Sequence, residues 1–347
     1  MKLTFRVTLL SVLLLLLGFT VAGLGFNSYW NANSAAEELS RQVLEQTSLR
    51  VDCQINELMR MANRQGELNR RLLESGLFPS NDFAKLAPFW LEQLKVHTRL
   101  VRLSLGVEAD GEWFYVRRVR DQELAIGELR RNSHTGKLEL RDYWPEQYPG
   151  EYFFFDPDQN SEDPRDGPWY TAARKLGRQV WSESYGLFGV QGFADAPGVS
   201  CATPVRQRDG SLLGVLTASF SLDELCSFLS KLPVGRNGYA FVVEFRADGS
   251  RRVIAHPDRQ SLLRKVEKNG KERGQELVPP EQLADGHVTA FLERLPPDLN
   301  PLEMQGMGRL RFSQGGIPYL GAYSCLSTPE TPDWLICTVM PEEDVFE

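Results

Sequence analysis

Cysteine, histidine and lysine-rich tracts are what this 347-residue chain has least of. Its five cysteines, Cys53, Cys201, Cys226, Cys325 and Cys337, form no Cys-x-x-Cys pair, which excludes a zinc knuckle and a thioredoxin-type redox site. The four histidines, His97, His134, His256 and His287, stand far apart and in no His-Glu-x-x-His arrangement. There is no nucleophile elbow. Gly270-Lys271 lacks the upstream glycine of a phosphate loop, and Gly306-x-Gly308 runs into Arg309 without a third glycine. The expectation is therefore no catalytic residue, no metal and no cofactor. Against 39 basic residues stand 46 acidic ones, a net charge of -7 with no basic run, which argues against nucleic acid as a partner. Glycine and proline are only slightly raised, so the chain is not disordered or collagen-like.

Long apolar runs are also scarce, and the one present is decisive for the address. Val7 to Phe26 carries no charge, and twenty residues at 1.5 Å rise match the roughly 30 Å of a hydrocarbon core. Two readings stand. A cleaved secretory signal would use Lys2 and Arg6 as its basic flank and Val21-Ala22-Gly23 as its small residues; an uncleaved anchor is favoured by the length of the run and by the lack of an Ala-x-Ala site. Lys2 and Arg6 precede the run and Glu37 and Glu38 follow it, so the N-terminus is expected in the cytoplasm and everything from Asn27 outside.

Beyond the anchor, residues 27–78 read as a long stalk helix. Leu44, Val51, Ile55, Leu58, Ala62, Leu68 and Leu72 recur at helical spacing, with Ser48, Gln65 and Asn69 interrupting the seam. Because this stripe is longer than one module needs, a weak homodimer through the stalk is expected. After a break at Pro79-Ser80-Asn81 come a second helix, Phe83 to His97, and strand-turn-strand grammar. Leu100 to Val107 and Trp113 to Val119 flank Asp110-Gly111, Cys201 to Gln207 and Leu212 to Phe220 flank Asp209-Gly210, and Tyr239 to Phe245 and Arg252 to Ala255 flank Asp248-Gly249. Leu222 to Leu232 and Glu281 to Leu292 have helical spacing. The class is α+β, with two related modules over 79–232 and 233–347. Equal spacing from Thr331 would set Cys325 opposite Cys337 in a hairpin; two buried thiols are the equal alternative.

Aromatic residues crowd the middle of the chain. Tyr152-Phe153-Phe154-Phe155-Asp156, Asp163-Pro164-Arg165-Asp166-Gly167-Pro168-Trp169-Tyr170 and Trp181-Ser182-Glu183-Ser184-Tyr185 set rigid rings beside carboxylates and one arginine. Such a set suits a small-ligand pocket, and equally an ordinary core under a loop.

The stretch Asp163 to Tyr170, then Val180-Trp181 with Tyr185, then the Pro204 to Gly214 hairpin with Leu222-Asp223-Glu224-Leu225, resembles the double Cache family. Gly238 to Val242, Asp248-Gly249, Ala255-His256-Pro257 and Ile336 to Pro341 with Glu342-Glu343-Asp344 extend the likeness over residues 35–347. That family consists of extracytoplasmic sensor regions of bacterial receptors. The resemblance implies a long N-terminal helix, a membrane-distal and a membrane-proximal PAS-like module, a small-molecule pocket in the distal one and no enzymatic activity. The family's chain usually re-enters the membrane after the segment matching Met340-Pro341. This sequence ends just beyond it, which leaves open a receptor cut before its second membrane helix and a sensor without an output domain.

The resemblance also locates the pocket residues: Arg165, Trp169, Tyr170, Glu183, Tyr185 and Ser219. Members that bind amino acids carry an arginine and two aspartates at positions that here are Gly167, Leu187 and Ser219, none of which ionises. Arg165 and Glu183 are the stand-ins nearest in sequence. Free α-amino acids are accordingly not the expected ligand, since an ammonium and a carboxylate left unpaired in a dry pocket cost several kcal/mol. The reading is a membrane-anchored extracytoplasmic small-molecule sensor, with an anchored enzyme or a structural, partner-binding ectodomain as the alternatives.

Overall fold

The computed structural model describes residues 2–78, 83–119, 123–156, 163–187, 196–268, 271–304, 306–326 and 332–345. One helix, α1 (Lys2–Glu74), carries the whole N-terminal part. From Leu9 its apolar beginning is exposed, and it is long and apolar enough to cross a membrane. From Ala36 onward a stripe turns inward: Ala36, Ser40, Leu44, Val51, Ile55, Leu58, Ala62 and Leu73 are buried at spacings of three, four and their sums. The seam departs from the predicted one at its end. Leu68 is exposed, and Asn69 takes the inward position because its amide exchanges hydrogen bonds of 3.0 Å with Gln93 and accepts one from the Trp90 indole at 3.2 Å. Those partners lie on α2 (Phe83–Val96), which crosses the end of the stalk. The predicted break at residues 79–81 lies outside the described residues.

Two antiparallel sheets hang on this helix. The larger contains β1 (Arg102–Val107), β2 (Trp113–Arg118), β3 (Leu124–Arg131), β4 (Leu138–Tyr143), β5 (Phe154–Asp156), β6 (Val180–Trp181), β7 (Tyr185–Leu187), β8 (Ala196–Arg206) and β9 (Leu212–Ser221). Their order is β5-β4-β3-β2-β1-β9-β8-β6, with β7 also on β8. The predicted hairpins are β1–β2 and β8–β9. They join through β1 and β9, so the first and last long strands of the module close its centre. α3 (Pro168–Leu176) covers one face. It starts with Pro168 in its first turn and ends on Gly177 at φ 64°, the left-handed turn that glycine adopts without strain. The opposite face, with Leu103, Leu105, Val199, Cys201 and Phe220, packs with α1 and α2 residues in the main core.

α4 (Leu222–Leu229), capped by the Ser221 hydroxyl on the Asp223 N–H at 3.1 Å, leads to the second sheet. There β10 (Tyr239–Phe245), β11 (Arg251–Ala255), β14 (Met307–Gln314), β15 (Ile317–Cys325) and β16 (Trp334–Pro341) run in the order β11-β10-β16-β15-β14; β12 (Leu263–Lys268) and β13 (Lys271–Leu277) form a separate ribbon. α5 (Gly286–Arg294) covers one face through Phe291, and Leu44 of α1 packs with Ala322 and Met340 on the other. The stalk seam is thus covered by both modules of its own chain. In the β15–β16 register Cys337 faces Tyr323 and Cys325 faces Leu335, two residues off the predicted pairing. All five cysteines are free thiols. Burial pushes the Cys325 thiol up to about 11 and the Cys337 thiol well above its ordinary value.

Candidate functional site

Alternation along the strands of the larger sheet places three rows of side chains on its α3 face. Cross-strand partners share a face, so the rows follow from the register. Leu129, Trp113, Gly106 and Val215 form an apolar row; Asp142, Gly127, Tyr115, Ser104 and Thr217 form the next; Arg117, Arg102, Ser219 and Ser200 form the third. From one edge of the face to the other, the surface passes from rings through hydroxyls to guanidiniums.

Two glycines make the first two rows possible. A Cβ on Gly106 would lie 2.9 Å from the Trp169 ring and 3.0 Å from that of Tyr170, so these α3 side chains close directly onto β1. A Cβ on Gly127 would stand 2.0 Å from the Tyr115 ring. The bare backbone lets that ring lie across the sheet and donate from its hydroxyl to Asp142 at 2.8 Å.

The third row is charged and dry. Arg102 and Arg117 are directly paired across β1 and β2, at 5% and 4% exposure, and Asp142 at 0% accepts from Arg117 at 3.2 Å. Burial lifts the Asp142 carboxyl above the ordinary aspartate value, while Arg117, Tyr115 and Arg102 oppose that shift. Burial, and then the neighbouring Asp142, push the Tyr115 phenol well up. The Arg102 guanidinium lies over the rings of Trp113 and Tyr115, 5.3 and 5.7 Å from their centroids. Beside it, the Tyr185 and Ser200 hydroxyls share a hydrogen bond of 2.6 Å, and Ser200 shares another of 2.6 Å with Ser219. Burial raises the Tyr185 phenol, and the charge of Arg102 works against that rise.

Four of the six predicted residues therefore meet on this face: Trp169 and Tyr170 at its apolar end, Tyr185 and Ser219 at its charged end. The other two do not join them. Arg165 forks onto Asp163 and donates to the Glu108 carbonyl at 2.9 Å, outside the rows. Glu183 accepts from the Ala247 N–H at 2.9 Å and lines a cleft of about 450 Å³ between the two sheets. Gly167, moreover, leaves no space for the missing arginine, because a Cβ there would stand 2.7 Å from Trp169 Nε1. Arg102, Arg117, Tyr115 and Asp142 escaped the sequence reading. The signal was the alternation Arg102, Ser104, Gly106 against Leu103, Leu105, Val107; an antiparallel strand with one polar side reads as half solvated, and here both sides are covered.

Paired guanidiniums present planar donors suited to a carboxylate, hydroxyls extend the polar end, and Trp113 and Trp169 wall the other. Among the described residues no cluster of His, Cys, Asp and Glu has a metal-binding arrangement.

The Cache domain model dCache_1 matches residues 29–347. The methyl-accepting chemotaxis protein McpA of Pseudomonas putida is 33% identical over 105 residues, which are 30% of this chain and 15% of that protein. The chain thus matches only a small part of that relative's length. The ligand-binding domain of Mlp24, solved with asparagine, superposes with a TM-score of 0.53 at 19% identity, over 91% of this chain and 97% of that one. The ligand-binding domain of the Pseudomonas fluorescens chemoreceptor CtaA, solved with L-isoleucine, gives 0.52 at 17% identity, over 91% and 98%. These likenesses establish the two-module PAS-like architecture, and with the family match over nearly the whole chain they make it a member of the double Cache family of Cache domains.

Proposed function

We propose that this chain is the extracytoplasmic ligand-sensing region of a membrane-anchored receptor, that it works by binding rather than catalysis, and that its ligand is a small carboxylate held on the α3 face of the larger module. The observation that carries the ligand class is the directly paired, buried Arg102 and Arg117 beside Asp142, the one buried carboxylate of that face among the described residues. A desolvated anion between two guanidiniums offsets their burial, whereas Asp142 already accepts from Tyr115 and Arg117 and offers little to an ammonium. The apolar end selects an aliphatic or aromatic body.

Ligand at ~100 times its dissociation constant adds about 2.7 kcal/mol, which moves an unfolding midpoint by several degrees. In a thermal-shift panel on the full chain in detergent, monocarboxylates and dicarboxylates are expected to raise the midpoint, and their amides are not. Domains of similar fold solved with asparagine and with L-isoleucine favour a second reading, a free amino acid. A rise with L-amino acids and none with simple acids would replace the first reading by the second.

The same proposal sets the N-terminus in the cytoplasm, supported by Lys2 and Arg6 before the apolar run, and pairs two chains along the outer side of α1, where Leu39, Leu49 and Cys53 are exposed. The other four cysteines are buried or half-buried, so Cys53 reports on both points. In intact cells a membrane-impermeant maleimide is expected to label it, and a mild oxidant to yield a dimer that Cys53→Ser abolishes. Protection from the maleimide would contradict the orientation, and a purely monomeric product the pairing.

A further inference from the structure

Tyr185 belongs to the charged end of the proposed binding face, and the residue just before it is bonded to the other module. Ser184 sits between β6 and β7 and is buried. Its backbone N–H donates to Glu244 at 2.8 Å and its hydroxyl to the same carboxylate at 2.5 Å. Glu244 lies on β10 in the five-stranded sheet and is 1% exposed; the Trp334 indole of β16 donates to it at 3.3 Å and Arg246 at 3.1 Å. Arg246 also donates to the Ser184 carbonyl at 2.5 Å. Both polar groups of the Ser184 backbone and its hydroxyl are thus held by the neighbouring module, while Tyr185 reaches back to Ser200 and Ser219.

We propose that Glu244 is a positioning residue of the ligand site in the other module. By fixing Ser184 it fixes the ring of Tyr185 on the binding face, and by the same bonds a shift of Tyr185 is felt on β10 and, through Trp334, on β16. The physical reason is the cost of letting go. If Ser184 let go, its buried N–H and hydroxyl would lose their acceptor and the nearly fully buried Glu244 carboxylate two of its donors, leaving only Trp334 and Arg246, so the Ser184–Glu244 contact moves as one body. β16 continues the coupling, since Met340 packs with Leu44 of α1. This inference rests on the α3 face being the ligand site only for its functional meaning; the mechanical link stands on the hydrogen bonds alone.

Amide hydrogen exchange on the full chain in detergent tests it without a ligand. Glu244→Ala is expected to speed exchange of Tyr185–Leu187 and of the β8 amides of Ala196 and Gly198 opposite them by about tenfold or more. The β2 and β3 amides of the same module should keep their rates. Glu244→Gln, which preserves an acceptor for Ser184, should recover most of the protection. Linkage is reciprocal, so Tyr185→Phe should speed exchange in β10. With 3-fluorotyrosine incorporated, Glu244→Ala should shift the Tyr185 resonance and leave that of Tyr115 in place. Should Glu244→Ala prevent folding, Ser184→Ala removes the hydroxyl from the other side and is expected to move the same amides. Faster exchange confined to the five-stranded sheet, with Tyr185–Leu187 unchanged, overturns the proposal. Failure of every carboxylate to bind would leave this result untouched, and so separates the two claims.

Discussion

Asp285 shows how single side chains anchor the smaller module. It caps α5 by accepting from the His287 N–H at 2.8 Å, and it accepts from Tyr239 at 2.6 Å and from His256 Nε2 at 3.1 Å. The Asp258 N–H donates to His256 Nδ1 at 3.1 Å, which leaves the proton on Nε2 for Asp285. Burial alone would raise the Asp285 carboxyl; the bonds from His256, Tyr239 and His287 override it and hold the group well below the ordinary range. The folded state therefore binds this proton less readily than the unfolded one. Its contribution is complete above the unfolded value of about 3.9 and is lost as the pH falls toward the folded value. Denaturant midpoints measured from pH 6 to pH 3 should show wild type well above Asp285→Asn at the upper end and the gap closing toward the lower. A gap constant with pH would mean that the charge contributes nothing. At this scale the sequence was legible where a residue type has few uses: Trp169, Tyr170, Tyr185 and Ser219, singled out from the family likeness, come together on one face of the larger sheet. Arg102, Arg117 and Asp142 were hidden because a charged residue on an alternating strand reads as solvent-facing until the covering helix is known.

Among the elements, the hairpins that turn on Asp-Gly were legible to within a residue or two, except that β8 begins at Ala196, five residues before the expected Cys201, because turn chemistry and strict alternation agree next to the turn. The strands β3, β4 and β5 were not. Their inward-looking grammar is broken by Glu128 and Glu139, which are buried yet satisfied: Tyr143 and Arg130 each donate to Glu128 at 2.8 Å, and Asn132 and Arg141 donate to Glu139 at 2.6 and 2.7 Å. Such pairs cancel the apolar signal that sequence periodicity depends on. The stalk carried a second concealed instruction at Gly66. A Cβ there would meet Thr203 Oγ1 at 2.5 Å and Gln179 Nε2 at 2.9 Å, where Gln179 joins Thr203 to the Asn63 carbonyl of α1. Gly66→Ala gains about 1 kcal/mol of helix propensity, but overpacking costs about 1–3 kcal/mol and the Gln179 bonds are lost as well. The contact wins: the substitution is expected to lower the thermal midpoint by about 2 °C or more. A raised midpoint would show that α1 can move away from β8 at little cost.

At the scale of the molecule, one helix joins an apolar, membrane-length beginning to both sheets, and the two sheets are tied to each other through Ser184 and Glu244. A receptor region built in this way can pass an event on the α3 face to the stalk by two routes, along α1 directly and through β10 and β16. Both depend on that face being where the ligand binds. The most direct measurement is a calorimetric titration of the full chain with the acid that gives the largest thermal shift, repeated on Arg102→Met and on Trp169→Ala. One site per chain is predicted, with affinity falling about tenfold or more in each variant while the unliganded proteins still unfold cooperatively. Unchanged affinity in both folded variants would place the binding elsewhere and contradict the account.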